Sequence, residues 1–524
     1  MSDLLLYYQR PEPATWVFLS SFLLLGIYFV FHRFFSIRNL DLVLLVLLAP
    51  GLMMVHEGRQ MQLAGTTSEA QGPTVDEAST TQDAPQPLGA AIAGAATMNV
   101  PSEGEPSSAD LGSETSASED ELAGSAEAID SARRLEFYGF MALLIACSLL
   151  MTRMLLDSTL VRRPLLVPNL SIGGLTFIGA SLFVFLMGNV ITSSPREQQL
   201  RGPSLGPGYA LLNMLPDLPT LPRERAAAGR LAEAANPEVA PTIATDSAAN
   251  AASSESQVAS KKAPWLPNVA RILAILSNLT IVLGIVGVGY WHFDNVQTGI
   301  GCAVMYLLLP YTAQMTGNLQ HVMPAALLVL AILMYRQPLA SGAFLGLAAG
   351  LVYYPLFLLP IWISFYWHRG LTRFLSGVSG SLALLAGLLL LQGFEAFFAH
   401  VRQMFGLWWP HMEGLEGIWG EGGIAPDYRL PVLVGFILLS LSFVFWPPRK
   451  NLGSLMGSTA AVLLAAQFWH GNGGGLFMAW FLPFTLLTIF RPNLDNRVAT
   501  MVVRERPKKR QTILRPPSAE KEAA

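Results

Sequence analysis

The chain has 524 residues, of which 52% are hydrophobic and 13% charged, with a formal net charge of −3. Soluble domains carry about 25% charged residues, so composition excludes an ordinary soluble protein, and no basic face points to nucleic acid. Its two cysteines, Cys147 and Cys302, both lie inside apolar runs, which excludes a disulfide framework and offers too few ligands for a metal site.

Apolar runs of about 16 to 24 residues recur along the chain, the length that crosses a hydrocarbon core of ~30 Å as a helix. They predict membrane segments at 15–35, 40–55, 136–155, 168–191, 267–290, 297–314, 321–336, 340–367, 374–392, 430–446, 453–469 and 475–490. The runs are solidly apolar rather than alternating, so the expected fold is an all-α, polytopic transmembrane helical bundle. The first run ends without a small-residue cleavage motif, and no cleavable signal peptide is expected. The domains read as a transmembrane hairpin (1–59), an acidic disordered insertion (60–132) and a second hairpin (133–193). A Gly/Pro/Ala-rich loop (194–264), a transmembrane core (265–490) and a basic tail (491–524) follow. Both long insertions read as solvated linkers, except for an apolar patch from Tyr209 to Leu221 that could dock on a membrane surface.

Arg and Lys in short loops favour the cytoplasm. Arg33, Arg38, Arg153, Arg162, Arg163, Arg336, Arg449, Lys450 and the tail mark that side. This predicts a multi-pass protein of the cell membrane. The N-terminus and both insertions face away from the cytoplasm, and the C-terminus faces it, with the tail next to anionic lipid. One run breaks the alternation, because Arg336 precedes 340–367 and His368, Arg369 and Arg373 follow it. Pro355 removes a backbone donor and disfavours helix at Tyr354. We therefore read 340–367 as two short helices turning at Tyr353–Pro355, which makes thirteen segments in place of twelve.

Four clusters carry polar chemistry. Gly342, Gly346 and Gly350 repeat at helical spacing and predict close helix packing. Pro310 to Gln314 with Gly317 to His321 forms a turn dense in amide, hydroxyl and imidazole groups. The loop 393–429 holds Arg402, Glu413, Glu416, Asp427 and Arg429 among tryptophans that favour an interface. Paired carboxylates such as Glu413 and Glu416 could serve acid–base work or a divalent cation, although no metal-ligand spacing is present. The fourth cluster, Trp469 to Gly475, reads as a sharp reversal. Ionisable groups are nearly missing from the middle of the spans, which argues against an ion-coupled transporter.

The stretch 306–373 combines Tyr306-Leu307-Leu308-Leu309-Pro310, the Gly317 turn, Tyr335-Arg336, the glycine-rich run Ser341 to Gly350 and Tyr353-Tyr354-Pro355-Leu356. That pattern resembles the bacterial polytopic glycosyltransferases of the GT-C type, especially the polyprenyl-phosphate-mannose-dependent mannosyltransferases. Their proline-ended helix leads to a Gly-Gln turn, a basic loop, a glycine-rich helix and a Lys-x-x-Pro turn. Here Val352 stands where the family has the lysine, and Gly317-Asn318 where it has Gly-Gln. The resemblance implies a GT-C-like core and a polyprenyl-phosphate sugar donor. Its binding groups would come from Gln314, Asn318, Gln320, His321, Tyr353, Tyr354, Arg402 and Arg429. The base would be one of Asp217, Glu413, Glu416 and Asp427. The departures leave a second reading open, a non-catalytic membrane scaffold or assembly protein on the same fold, with a transporter or flippase as a third.

Overall fold

The structure, a computed structural model, describes residues 13–70, 113–159, 166–195, 208–218, 265–391, 393–404, 415, 417–420, 423–448, 450–471 and 476–492. These residues are helical and contain no strand. Six helices are long and apolar enough to cross a membrane: Ile37–Gln62, Ala128–Thr159, Ile172–Ile191, Leu266–Phe293, Leu371–Leu390 and Leu452–Trp469. Six more apolar helices have 10–17 residues. The expected all-α bundle is present, an architecture suited to an integral membrane protein.

In chain order, α1 spans Pro13–Tyr28, α2 Ile37–Val46, α3 Leu48–Ala70, α4 Ser113–Leu156, α5 Ile172–Ile191 and α6 Tyr209–Asn213. Then come α7 Leu266–Phe293, α8 Val296–Leu308, α9 Pro310–Met315, α10 Leu319–Leu333, α11 Pro338–Leu351, α12 Leu359–Tyr366 and α13 Leu371–Leu390. Last are α14 Phe394–Met404, α15 Arg429–Ser442, α16 Leu452–Trp469 and α17 Leu482–Phe490. By packing, Met54–Tyr138 forms one unit, and Met1–Met53 with Gly139–Ala524 the other.

Inside the smaller unit two helices meet at Gly58, where a Cβ would stand 2.8 Å from the Glu136 nitrogen. Arg59 Nε and Gln62 Nε2 each donate to the Glu136 carboxylate at 2.8 Å. Helix thus extends into the stretch 60–132, through Ala70 and again from Ser113. Alanine and glutamate are frequent in these extensions and favour helix locally. Residues 71–112 lie outside the described residues.

Prolines and caps set the ends of the helices in the larger unit. Leu309, before Pro310, has φ −62° and ψ 132°, so the run expected at 297–314 is two helices. Val352 is extended at φ −142° and ψ 120°, and a 3-10 turn over Tyr354–Leu358 leads into α12. The Tyr366 hydroxyl, at the end of α12, donates to the Tyr335 carbonyl just before α11 at 2.7 Å. The two halves of 340–367 therefore begin and end at one level, as the charge pattern predicts.

The tightest helix contact joins α11 to α13. A methyl group at Gly342 would overlap the Phe374 carbonyl oxygen, one at Gly346 would stand 2.6 Å from the Val378 oxygen, and one at Gly377 would overlap the Leu339 oxygen. The glycine repeat does the work expected of it, letting two backbones touch. Gly380, on the same α13, has nothing within 4 Å of its added Cβ.

A buried ion network joins α2, the end of α4 and the residue that follows α17. Arg153 holds the Asp41 carboxylate at 2.6 and 3.0 Å and reaches Asp157 at 3.1 Å, and Arg491 pairs with the other Asp157 oxygen. All four side chains are 10% exposed or less. Arg491 packs on Gly453, at the start of α16. Nearby, Arg369 donates to the Lys450 carbonyl at 3.1 Å, and Asn451 and Ser454 form a capping box on α16. Arg162, Arg163, Arg449 and the tail beyond 492 lie outside the described residues.

Two measurements test this packing. Gly346→Leu is expected to lower the thermal midpoint of purified protein by the equivalent of about 1–3 kcal/mol or more, while Gly380→Leu leaves it unchanged. Arg491→Met leaves a buried carboxylate with one partner fewer and is expected to cost about 3–5 kcal/mol. An unchanged midpoint for Arg491→Met would show that the network carries no stability.

Candidate functional site

At the far end of α16, 18 residues from the ion network and about 25 Å away at 1.5 Å per residue, separate stretches of chain converge. The hairpin tip supplies Tyr353 and Tyr354, stacked at 4.4 Å with their hydroxyls 3.1 Å apart. His470, just past α16, stacks on Tyr354 at 4.7 Å and on Phe477 at 4.6 Å. Phe477 in turn packs on Trp480 at 4.5 Å and on His321 at 4.4 Å. Its backbone N–H donates to Gln467 Oε1 at 3.1 Å, which closes the reversal between α16 and α17. The flanks of the expected turn, residues 469–471 and 476–477, therefore form one wall of the site, while residues 472–475 lie outside the described residues.

The turn between α9 and α10 forms the second wall. His321 Nδ1 and the Tyr311 hydroxyl are hydrogen-bonded at 2.5 Å, and Trp480 Nε1 donates to the Gln320 carbonyl at 3.2 Å. Arg429 arrives from the start of α15. Its Nε donates to the Trp469 carbonyl at 2.7 Å, and its guanidinium lies 5.5 Å over the Trp469 ring. The same guanidinium is within electrostatic reach of the Tyr353 and Tyr354 hydroxyls.

The third contribution comes from the loop 194–264, expected as a linker. Its residues 208–218 dock on the bundle. Tyr209, Leu212, Leu215 and Leu218 are buried at a spacing of three, while Leu211 and Met214 are exposed. The Gly208 N–H donates to the Gly350 carbonyl at 2.8 Å, which pins the segment to the hairpin tip. One side of the patch therefore packs on protein, beginning where Gly208 meets Leu351 of α11 and Leu385 of α13. Tyr209 hydrogen-bonds the Gln320 side chain, and Asp217 lies close enough to act on its phenol. Burial first and the Asp217 charge second push the Tyr209 phenol up to about 12, while the Gln320 hydrogen bond pulls it down.

Of the residues read from sequence, Gln320, His321, Tyr353, Tyr354 and Arg429 meet here, and Asp217 joins them through Tyr209. Asn318 has a plainer task, since its side chain accepts from the Gln320 N–H and caps α10. Gln314 is buried on α9, the helix that carries Tyr311. Asp427 is exposed in the 3-10 turn Pro426–Tyr428. Arg402 lies on α14, with its side chain outside the described residues, as are Glu413 and Glu416 altogether. Tyr209, Phe477 and Trp480 carry no site role in the sequence pattern, and Tyr311, Trp469 and His470 enter there only as members of their turns. The threefold spacing from Tyr209 to Leu218 was the one signal for the docked segment. Among the described residues no group of three His, Cys, Asp or Glu side chains comes together.

Rings fill the interior of the cluster, with Tyr354, His470, Phe477 and Trp480 all buried. A crevice of about 30 Å³ beside it, lined by Cys147, Gln467 and Met478 among others, has room for water only. The polar rim is formed by Asn318, Gln320 and Asp217, all half-buried.

No family model, no curated protein and no solved structure matches this chain.

The Tyr209 phenol gives a pH test. Its folded value lies above the ordinary tyrosine value of about 10, so its contribution to docking is fully present below about pH 10 and is lost as pH rises through about 12. Ultraviolet difference titration against Tyr209→Phe should show one phenol ionising late, and Asp217→Asn should bring that step down. A Tyr209 phenol that titrates at the ordinary value would mean the segment is not docked.

Proposed function

We propose that the chain is a GT-C-like transferase that moves a sugar from a polyprenyl-phosphate donor to an acceptor on the extracytoplasmic side. In this reading the end carrying Arg429 faces outward, and the ends carrying Lys450 and Arg491 face the cytoplasm, in keeping with the positive-inside pattern. The observation that carries it is the position of Arg429. The family that the chain resembles has a lysine at the hairpin tip, where this chain has buried Val352. Arg429 brings a cation to the same tip from another helix, beside Tyr353 and Tyr354.

The chemistry follows from the charges. Arg429 pairs with the donor phosphate, and a guanidinium can do so through two hydrogen bonds at once. Gln320, Tyr353 and Tyr354 orient the head group, and the lipid tail lies along the apolar helices. Asp217 takes the proton from the acceptor hydroxyl. The acceptor oxygen then bonds to the anomeric carbon as the bond from that carbon to the phosphate oxygen breaks. Polyprenyl phosphate leaves with its negative charge against Arg429.

Purified protein in lipid nanodiscs, given a panel of polyprenyl-phosphate hexoses and pentoses, is expected to transfer one of them to an added acceptor. Asp217→Asn should slow transfer on the order of 10²–10⁴-fold without lowering the amount of inserted protein. Arg429→Lys keeps the charge but not the paired hydrogen bonds and should fall between the unaltered protein and Arg429→Gln. Normal transfer by both Asp217→Asn and Arg429→Gln removes these residues from the reaction. No transfer by the unaltered chain with any donor favours the second reading, a non-catalytic scaffold. The ring-filled interior of the cluster is the observation that supports that alternative.

A further inference from the structure

The helix α14 stands apart from the rest of the bundle. Three residues separate it from the end of α13, and one of them, Gly393, has φ +114°. At 100° per residue, Phe394, Phe397, Phe398 and Val401 fall within one arc of about 100°. Phe394 is 74% exposed and Phe398 65%. Glu395 and Ala399, on the other side, are exposed as well. Phe397 and Val401 are half-buried, and the edge of the apolar face that carries Phe394 and Phe398 points away from the described protein.

What covers that face follows from what precedes it. The helix α13 is one of the six long and apolar enough to cross a membrane. Its Leu384, Leu388 and Leu391 lie at helical spacing and are exposed, Leu391 to 83%. Along the chain this exposed apolar stripe is followed, past the turn at Gly393, by exposed Phe394 and Phe398. A helix that starts where a spanning helix stops begins at the depth where acyl chains meet head groups. We propose that α14 lies along the bilayer surface, with Phe394 and Phe398 in the acyl region and Glu395 and Ala399 toward water. Phenylalanines on one face and charge on the other are the composition of an interfacial helix. The occupant of the exposed face is lipid. The inference does not rest on the transferase reading, because it uses only the continuity between α13 and α14.

The test uses the full chain in vesicles of phosphatidylcholine and phosphatidylglycerol. Single cysteines placed by Phe398→Cys and Ala399→Cys carry a nitroxide, and collision with oxygen, which concentrates in acyl chains, is compared with collision with a water-soluble nickel chelate. Cys147 and Cys302 are buried, and the unaltered chain, carried through the same labelling, reports any signal from them. The expected result is an oxygen-to-chelate ratio several-fold higher at 398 than at 399. Equal access to the chelate at both positions would place the helix in water and overturn the proposal. Low access to both reagents at 398 would mean that protein covers the face, and spin–spin broadening there would mean that a second copy does; either result also overturns it. Where Phe398→Cys lowers the inserted amount, Phe394→Cys reads the same face.

Discussion

The contact between α11 and α13 is the constraint on which the site depends. Lipid tails are as apolar as leucine side chains, so burial alone gives two helices little reason to associate in a membrane, and close backbone approach takes its place. Gly342, Gly346 and Gly377 let the two backbones touch, and α11 is thereby held along its length. Because α11 is fixed, its broken end at Val352 is fixed too, and Tyr353 and Tyr354 always project at the same point. The docked segment depends on that same end. Its Gly208 donates to the Gly350 carbonyl, and a side chain at 208 would crowd that oxygen at 3.2 Å and Leu351 at 3.0 Å. Asp217 reaches the polar turn only because this anchor holds.

Charge is divided between the two ends of the bundle in different ways. Around Asp157 two carboxylates and two guanidinium groups cancel, and each has a partner at hydrogen-bond distance or closer. Pairing within a neutral cluster offsets part of the desolvation penalty of buried charge, although Arg491 Nε is left without a partner. It ties α2 and α4 to the end of α17. At the other end the rings of Tyr354, His470, Phe477 and Trp480 replace ion pairs. Stacked rings hold the flanks of the turn in place, and half-buried Gln320 and Asp217 lie at the edge of the region.

The parts of this architecture that were legible in the sequence are those governed by local rules. A proline within a run flanked by cations marked the break near Tyr353, and glycines at a spacing of four marked the α11 seam. The ion network was not legible, because its partners are far apart in sequence: Asp41 and Arg153 by 112 residues, Asp157 and Arg491 by 334. Neither was the place of Tyr209, whose partner Gln320 lies on another part of the chain. Asn318 illustrates the opposite error. An amide in a polar turn looks like a ligand group, yet the first free N–H groups of α10 need an acceptor, and Asn318 supplies it. Gln320, two residues on, has its side chain within reach of the Tyr209 phenol.

The position of Arg429 shows how the two ends are linked. As the first residue of α15 it sits at the positive end of its own helix, an unfavourable place for a cation. What offsets this is the end of another helix: the Trp469 carbonyl, which accepts from Arg429 Nε, belongs to the last turn of α16, where the helix dipole is negative. The Trp469 ring adds a cation–π contact on the guanidinium face, and Gly471 leaves room for it where a Cβ would stand 3.1 Å from Nη2. The cation at the hairpin tip is therefore held by α16 rather than by the hairpin. Because Gly453, in the first turn of α16, lies under Arg491, any shift of that helix along its axis would be felt at both the ion network and the tip. A single buried helix thus sets the charge at one end and the closure of the chain at the other.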